Sequence, residues 1–172
     1  MKKSDIKIVP PYYVPYINQA NDEDLLIQLE EGGIALFLDH LEKLEAVGTK
    51  TYAQAKWTIP QIIEHLIDTE RIFQYRALRF ARQDKTELPG YDENMYAAVS
   101  KADNRSIEDL LEEYQIVRLS TLLLYKNLDS DQLHFTGKAN GHEISVLALG
   151  FIMIGHSVHH FNVIQERYFE LV

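Results

Sequence analysis

Gly155-His156-Ser157-Val158-His159-His160-Phe161-Asn162 lies inside a long apolar run near the C-terminus of a 172-residue chain. At about 100° per residue, a helix carries His156 and His160 on one face, close enough to share a metal ion. Leu149, Ile152, Met153, Val163, Ile164 and Arg167 gather on that side, and Phe151, Ile154, Val158, Phe161 and Tyr168 on the opposite one. A helix that is apolar on two faces must bury both. The run from about 145 to 171 is therefore read as the central helix of a bundle. One face turns to the core. The other needs the N-terminal arm or a second copy of the chain, and a homodimer through this outer face is expected.

Three more helical runs precede it. Thr58 and Gln61 have capping-box spacing, Pro60 sits in the tolerated first turn, and Trp57 is placed to staple onto Ile62. Ile59, Ile62, Leu66, Phe73, Ala77 and Phe80 continue as an apolar stripe to about Arg82, with His65 and Thr69 on its flank and Arg76 further along the same side. Ser106, with Asp109 at the reciprocal position, caps a run whose apolar positions extend from Ile107 to Leu128. The first run has Asn21 as its cap and ends at Gly48. Gly32-Gly33 in its middle costs roughly 1 kcal/mol per glycine relative to alanine, so either a neighbour packs closely there or the helix kinks.

Helices are thus expected at about 22–47, 58–82, 106–128 and 145–171, in one domain covering residues 1–172. Four long helices in a chain of this size make an all-α, four-helix bundle. Pro10, Pro11 and Pro15 alternate with Tyr12, Tyr13 and Tyr16, which marks residues 1–20 as an extended arm packed across the bundle. The connection from Gln83 to Arg105 turns at Leu88-Pro89-Gly90-Tyr91, has a short helix expected over Glu93 to Val99, and is a candidate lid or crossover. Asn140-Gly141 signals a tight turn in a short hairpin or irregular loop, with His134 and His142 facing solvent.

Composition narrows the function. A net charge of −9 argues against a nucleic-acid or anionic-membrane partner. With no cysteine, a thiolate metal site, a disulfide framework and a cysteine nucleophile are excluded. The N-terminus leads into no secretory h-region, and Val146–Ile154 is too short to span a bilayer. A cytoplasmic location is the expectation.

Bundle interiors hold metal sites built from facing helices. His65 together with His156 and His160 supplies three neutral imidazoles, the ligand number that leaves a zinc ion one open position; nickel or iron would also accept this donor set. The segment from Trp57 to Arg71, Trp-Thr-Ile-Pro-Gln-Ile-Ile-Glu-His-Leu-Ile-Asp-Thr-Glu-Arg, resembles the first metal-binding motif of the DinB-like superfamily, and His156-Ser157-Val158-His159-His160 resembles the second. The gap of roughly ninety residues between them fits too, so the likeness covers nearly the whole chain. It implies an up-up-down-down bundle, frequently dimeric, with one divalent ion held by His65, His156 and His160.

Other polar residues on these helices have two readings each. His159 points about 60° away from His156, while His160 lies about 40° away on the other side. That sets His159 apart as a donor behind a ligand or as a partner of Glu166. Asp68 and Glu70 either orient ligating imidazoles or are solvated helix charges. Arg71, Arg76, Arg79 and Arg82 either bind an anion or pair with the acidic surface. Arg76 and Arg167 project toward core stripes and need buried partners such as a carboxylate.

The superfamily includes thiol-dependent S-transferases and metal-dependent hydrolases. The resemblance therefore implies an enzyme whose metal activates a thiol cofactor or water for S-transfer or hydrolysis on a small-molecule substrate. Glu70 and His159 are the candidate catalytic residues. The alternative is a non-catalytic, metal-stabilised bundle that binds a ligand or partner protein in a stress response. A coordination face open to a pocket favours the first; a site sealed by side chains favours the second.

Overall fold

A computed structural model describes residues 1–172. The arm makes a turn at Lys3–Asp5, another at Pro11–Tyr13, and then a short helix, α1 (Val14–Ile17). The extended arm expected over residues 1–20 is therefore partly helical, and Pro15 occupies the first turn of α1, where no backbone donor is needed. The first bundle position is filled by α2 (Leu25–Glu31), α3 (Ile34–Leu38) and α4 (Leu41–Val47) in place of the single helix expected over 22–47. The glycine pair explains the break. Gly33 has φ +78°, and a Cβ there would stand 2.8 Å from Cβ of Ser157. The kink and the close neighbour occur together. The cap also moves: Asp24, not Asn21, accepts from the Leu26 amide and holds the N-terminal ammonium at 2.7 Å.

The other three positions are long helices: α5 (Ile59–Ala81), α7 (Ile107–Lys126) and α9 (Val146–Arg167). Between them lie α6 (Glu93–Val99), α8 (Ser130–His134) and an antiparallel hairpin of β1 (Thr136–Ala139) and β2 (His142–Ser145). Thr58 and Gln61 form both bonds of their capping box, and Ser106 accepts from the Asp109 amide. The reciprocal bond expected from Asp109 is replaced by an ion pair with Arg105 at 2.5 Å. Asn140 and Gly141 both take positive φ, as a two-residue hairpin turn requires. Gly137 in β1 sits flat on Phe80, which leaves no room for a Cβ.

Pairings along the helices give their directions. Arg71–Glu113 and Gln74–Ser120 advance together, so α5 and α7 run parallel. Tyr168 bonds the Trp57 carbonyl and His156 meets His65, so α9 runs against α5. Lys126 pairs with Glu30 and Tyr114 packs on Phe37, while Phe37 also meets Phe161. The first position is therefore antiparallel to α7 and parallel to α9. Around the bundle, the order α2–α4, α9, α5, α7 reads up, up, down, down. Two consecutive parallel helices need a crossover, and the 82–106 connection supplies it. On the way Leu88 hydrogen-bonds across to Lys138 and Asn140 and extends the hairpin edge.

A polar layer crosses the middle of the bundle. Glu70 of α5, Arg118 of α7, and His156 and Ser157 of α9 are buried there, and the apolar core divides into one cluster on either side. Val146–Leu171 has the length and mean hydropathy, 1.3, of a membrane span, but most of it is buried inside the bundle.

Its outer face is covered as well. Phe151, Ile154 and Phe161 are buried, and the Tyr16 carbonyl of α1 comes so close to Gly155 that a Cβ would lie 1.8 Å from it. The arm caps this face around Gly155. The arm thus covers part of the outer face through which a homodimer is expected, and Val158 on that face remains half-buried. Exposed apolar side chains follow one another along α7, at Ile116, Leu119 and Leu123.

Gly155→Ala is expected to lift α1 from α9. Urea denaturation should show a loss of about 1–3 kcal/mol, the usual cost of overpacking, and limited proteolysis should cut the chain before residue 20.

Candidate metal centre

The capping of α5 fixes where His65 points. With Thr58 closing the first turn, His65 stands two turns in, on the edge that faces α9, and the Trp57 ring covers it at 4.9 Å between centroids. On α9, the four-residue spacing stacks His156 and His160 with ring centroids 4.5 Å apart. The antiparallel crossing of α5 and α9 then brings all three Nε2 atoms together. His65 Nε2 is 3.2 Å from His156 Nε2, and His160 Nε2 is 3.0 Å from it. All three ligand atoms lie within 4.8 Å of one another.

Electrostatics favour the neutral, ligating form. Burial lowers His65 to about 4. Burial and the adjacent His65 and His159 imidazoles lower His160 to about 3, and burial together with the neighbouring imidazoles holds His156 well below the ordinary histidine value. Three uncharged imidazoles aim nitrogen at one point, and the proton on any one ring can satisfy only one neighbour. In a tetrahedral zinc site, Zn–N bonds of 2.0–2.1 Å place ligand nitrogens about 3.3 Å apart. The 3.2 and 3.0 Å spacings from His156 to His65 and His160 are close to that value.

The triad faces a cavity of about 190 Å³. Tyr13 and Tyr16 of the arm region form one wall, Trp57 another, and Tyr91 and Glu93 of the crossover a third, while Arg76 closes the far end. Tyr16 packs edge-on against both His156 and His159. Tyr91 hydroxyl is 2.6 Å from Thr69 Oγ1, which lies 3.5 Å from His65 Nδ1. Burial pushes Tyr91 up to about 12, so it faces the cavity as a neutral phenol.

The two candidate catalytic residues go elsewhere. Glu70 is gripped by Arg118 through two bonds of 2.7 Å and orients no imidazole. Arg118 also donates to the Gly32 carbonyl and to Ser157 Oγ. Ser157 in turn donates to the Met153 carbonyl, so Tyr114 is the donor in its 2.5 Å bond to Ser157. This network ties all four bundle positions at the level of the triad. His159 is half-buried beside Tyr16 and is not among the cavity residues. Asp68 lies near Glu64 beneath the crossover, and burial and that carboxylate raise its pKa.

The arginines are redistributed too. Arg167 is exposed rather than core-facing. Arg76 is buried, but its partner is the Pro89 carbonyl, not a carboxylate. Arg71 and Arg79 pair with Glu113 and Asp84. Sequence reasoning missed Arg118, Tyr91 and Glu93. Tyr91 precedes α6 and Glu93 is its first residue, in a connection too short of periodicity to show which way they point; only the unusual length of that connection hinted at a wall for the site.

The DinB superfamily profile matches residues 28–164. A protein of Oceanobacillus iheyensis, provisionally named a metal-dependent hydrolase, is 27% identical over 115 residues. That match covers 65% of this chain and 65% of that protein, so the chain spans just under two thirds of this relative's length. Among solved structures, YfiT from Bacillus subtilis matches with a TM-score of 0.72 at 17% identity, over 96% of this chain and 90% of that one. YfiT is described, also provisionally, as a metal-dependent hydrolase with an unusual four-helix bundle topology; at this identity the likeness is one of fold.

The Arg118–Glu70 pair has a measurable signature. Arg118→Met alone strands a buried carboxylate and is expected to cost about 3–5 kcal/mol in urea denaturation, whereas adding Glu70→Leu should recover most of that loss.

Proposed function

Because this chain belongs to the DinB superfamily, we propose that His65, His156 and His160 hold one divalent metal ion, zinc before nickel or iron, in a metal-dependent enzyme acting on a small molecule. The observation that carries this reading is the convergence of three Nε2 atoms on the floor of an open cavity. When bound, such an ion supplies Lewis acidity, which lowers the pKa of water or a thiol and polarises a carbonyl. Hydrolysis takes precedence over S-transfer because the relatives bear hydrolase names.

The chain's own residues supply the rest. The imidazoles, kept neutral by burial, offer nitrogen lone pairs and no competing proton. Trp57 and Tyr16 pack over the ligating rings and restrict water on that side. Tyr91, held by Thr69, can donate a hydrogen bond to a substrate oxygen from the cavity wall. Glu93 is the carboxylate that lines the cavity, and it replaces Glu70 as the candidate to accept a proton from a water or thiol. A non-catalytic, metal-stabilised bundle would be served better by a sealed site than by one that opens on a cavity.

Elemental analysis after zinc loading and dialysis is expected to show about one equivalent in the wild type, with the metal largely lost in His156→Ala and His160→Ala. Ester, amide and thiol-conjugation substrates should be turned over only with metal present. Glu93→Gln should lower the rate at least about 10-fold without loss of metal, the contribution typical of a general base. A wild type that takes up no metal contradicts the reading, and full metal without turnover on any of these classes favours the non-catalytic bundle.

A further inference from the structure

Arg76 is only 2% exposed, yet it lines the same cavity as the three imidazoles. It donates from Nη2 to the Pro89 carbonyl at 2.8 Å, and its guanidinium lies 5.2 Å from the centre of the Phe73 ring. A guanidinium has five N–H donors, so the Pro89 carbonyl and the neighbouring Tyr13 phenol, both uncharged, leave part of its capacity unused. More telling is the charge. Every ion pair in the protein omits Arg76, whereas Arg118, equally buried, is matched by Glu70. Glu93 shares the cavity lining but makes no ion pair with Arg76. Buried charges are ordinarily paired, and here the position where a partner would stand is cavity.

We propose that Arg76 is the seat for a carboxylate of the substrate, so that the molecule whose reactive end meets the imidazoles carries a carboxylate at its other end. A guanidinium receives a carboxylate through two parallel bonds. Arg76 is the only lysine or arginine lining the cavity, and Glu93 adds a negative charge, so a monoanion balances the site better than a dianionic phosphate. The phenols beside it do not compete as anions: burial raises Tyr13 even though Arg76 pulls it down, and Tyr91 is raised to about 12. Tyr13, Phe73 and Tyr91 give the cavity aromatic walls, and its volume of about 190 Å³ suits a compact, flat body. The inference rests on the metal-centre reading only for where the reactive end lies; the carboxylate seat stands on Arg76 alone.

The test is calorimetric titration of the full chain with benzoate and with benzyl alcohol, before and after metal is stripped with a chelator. Wild type is expected to bind benzoate at least ~10-fold more tightly than benzyl alcohol in both states, because the anion alone answers the guanidinium. Arg76→Gln should remove that preference and leave metal content unchanged. Arg76→Lys keeps the charge but loses the planar fork, and it should weaken benzoate at least ~3-fold while leaving benzyl alcohol alone. If Arg76→Gln does not fold, the lysine variant decides, and unaltered benzoate affinity in it overturns the proposal. Equal binding of acid and alcohol by wild type also overturns it. So does benzoate binding that vanishes with the metal but survives Arg76→Gln, since the carboxylate would then sit on the ion. A wild type that binds no metal yet shows Arg76-dependent benzoate binding would refute the metal centre and leave this seat in place.

Discussion

At Gly155 the Tyr16 carbonyl occupies space that any side chain would need, and at Gly33 the turn between α2 and α3 presses on Ser157 in the same way. Both contacts follow from one constraint: α9 is apolar on opposite faces and must be enclosed on both. The arm closes one side and the broken first helix another. Enclosure on this scale forces His156 out of water, lowers its basicity, and turns Tyr16 from a surface aromatic into a wall of the site. A solvent-facing α9 would leave the histidines as ordinary titrating groups. Buried, they are lone-pair donors gathered around one point.

The buried polar groups are accommodated in three chemically distinct ways. Glu70 and Arg118 are both charged and neutralise each other, with Tyr114, Ser157 and the Gly32 carbonyl taking up remaining hydrogen bonds. The imidazoles avoid the cost of desolvation by remaining uncharged. Arg76 does neither, and it lies on the cavity. The first solution locks helices together directly beneath the triad. The others leave unspent valence, lone pairs at one end of the cavity and N–H donors at the other, which is the arrangement of a site that binds something.

Local signals in the sequence carried the helices well. The Thr58–Gln61 box, the Ser106 cap and the Asn140-Gly141 turn all act within four residues, and each stands where the spacing put it. Helical spacing put His156 and His160 on one face and His65 on a stripe flank, and it was the resemblance of the two motifs that joined them into one candidate site. What the sequence hid depends on distant partners. Glu70 looks like an available carboxylate until Arg118, on another helix, is seen holding it. The two glycines flagged a break in the first helix, but Ser157, the neighbour packed against it, lies more than a hundred residues away. Tyr91 and Glu93 reach the site through the crossover, where only tertiary contacts place them, and the apolar pattern of a two-faced helix could not say that the arm would cover the stretch around Gly155.

Crystals of the zinc-loaded 172-residue chain, measured on both sides of the zinc absorption edge, address the metal centre most directly. The account predicts one strong anomalous peak, about 2.0–2.1 Å from Nε2 of His65, His156 and His160, with its remaining side toward the Arg76 cavity. A peak ligated by other residues, or none between these three imidazoles, would contradict it.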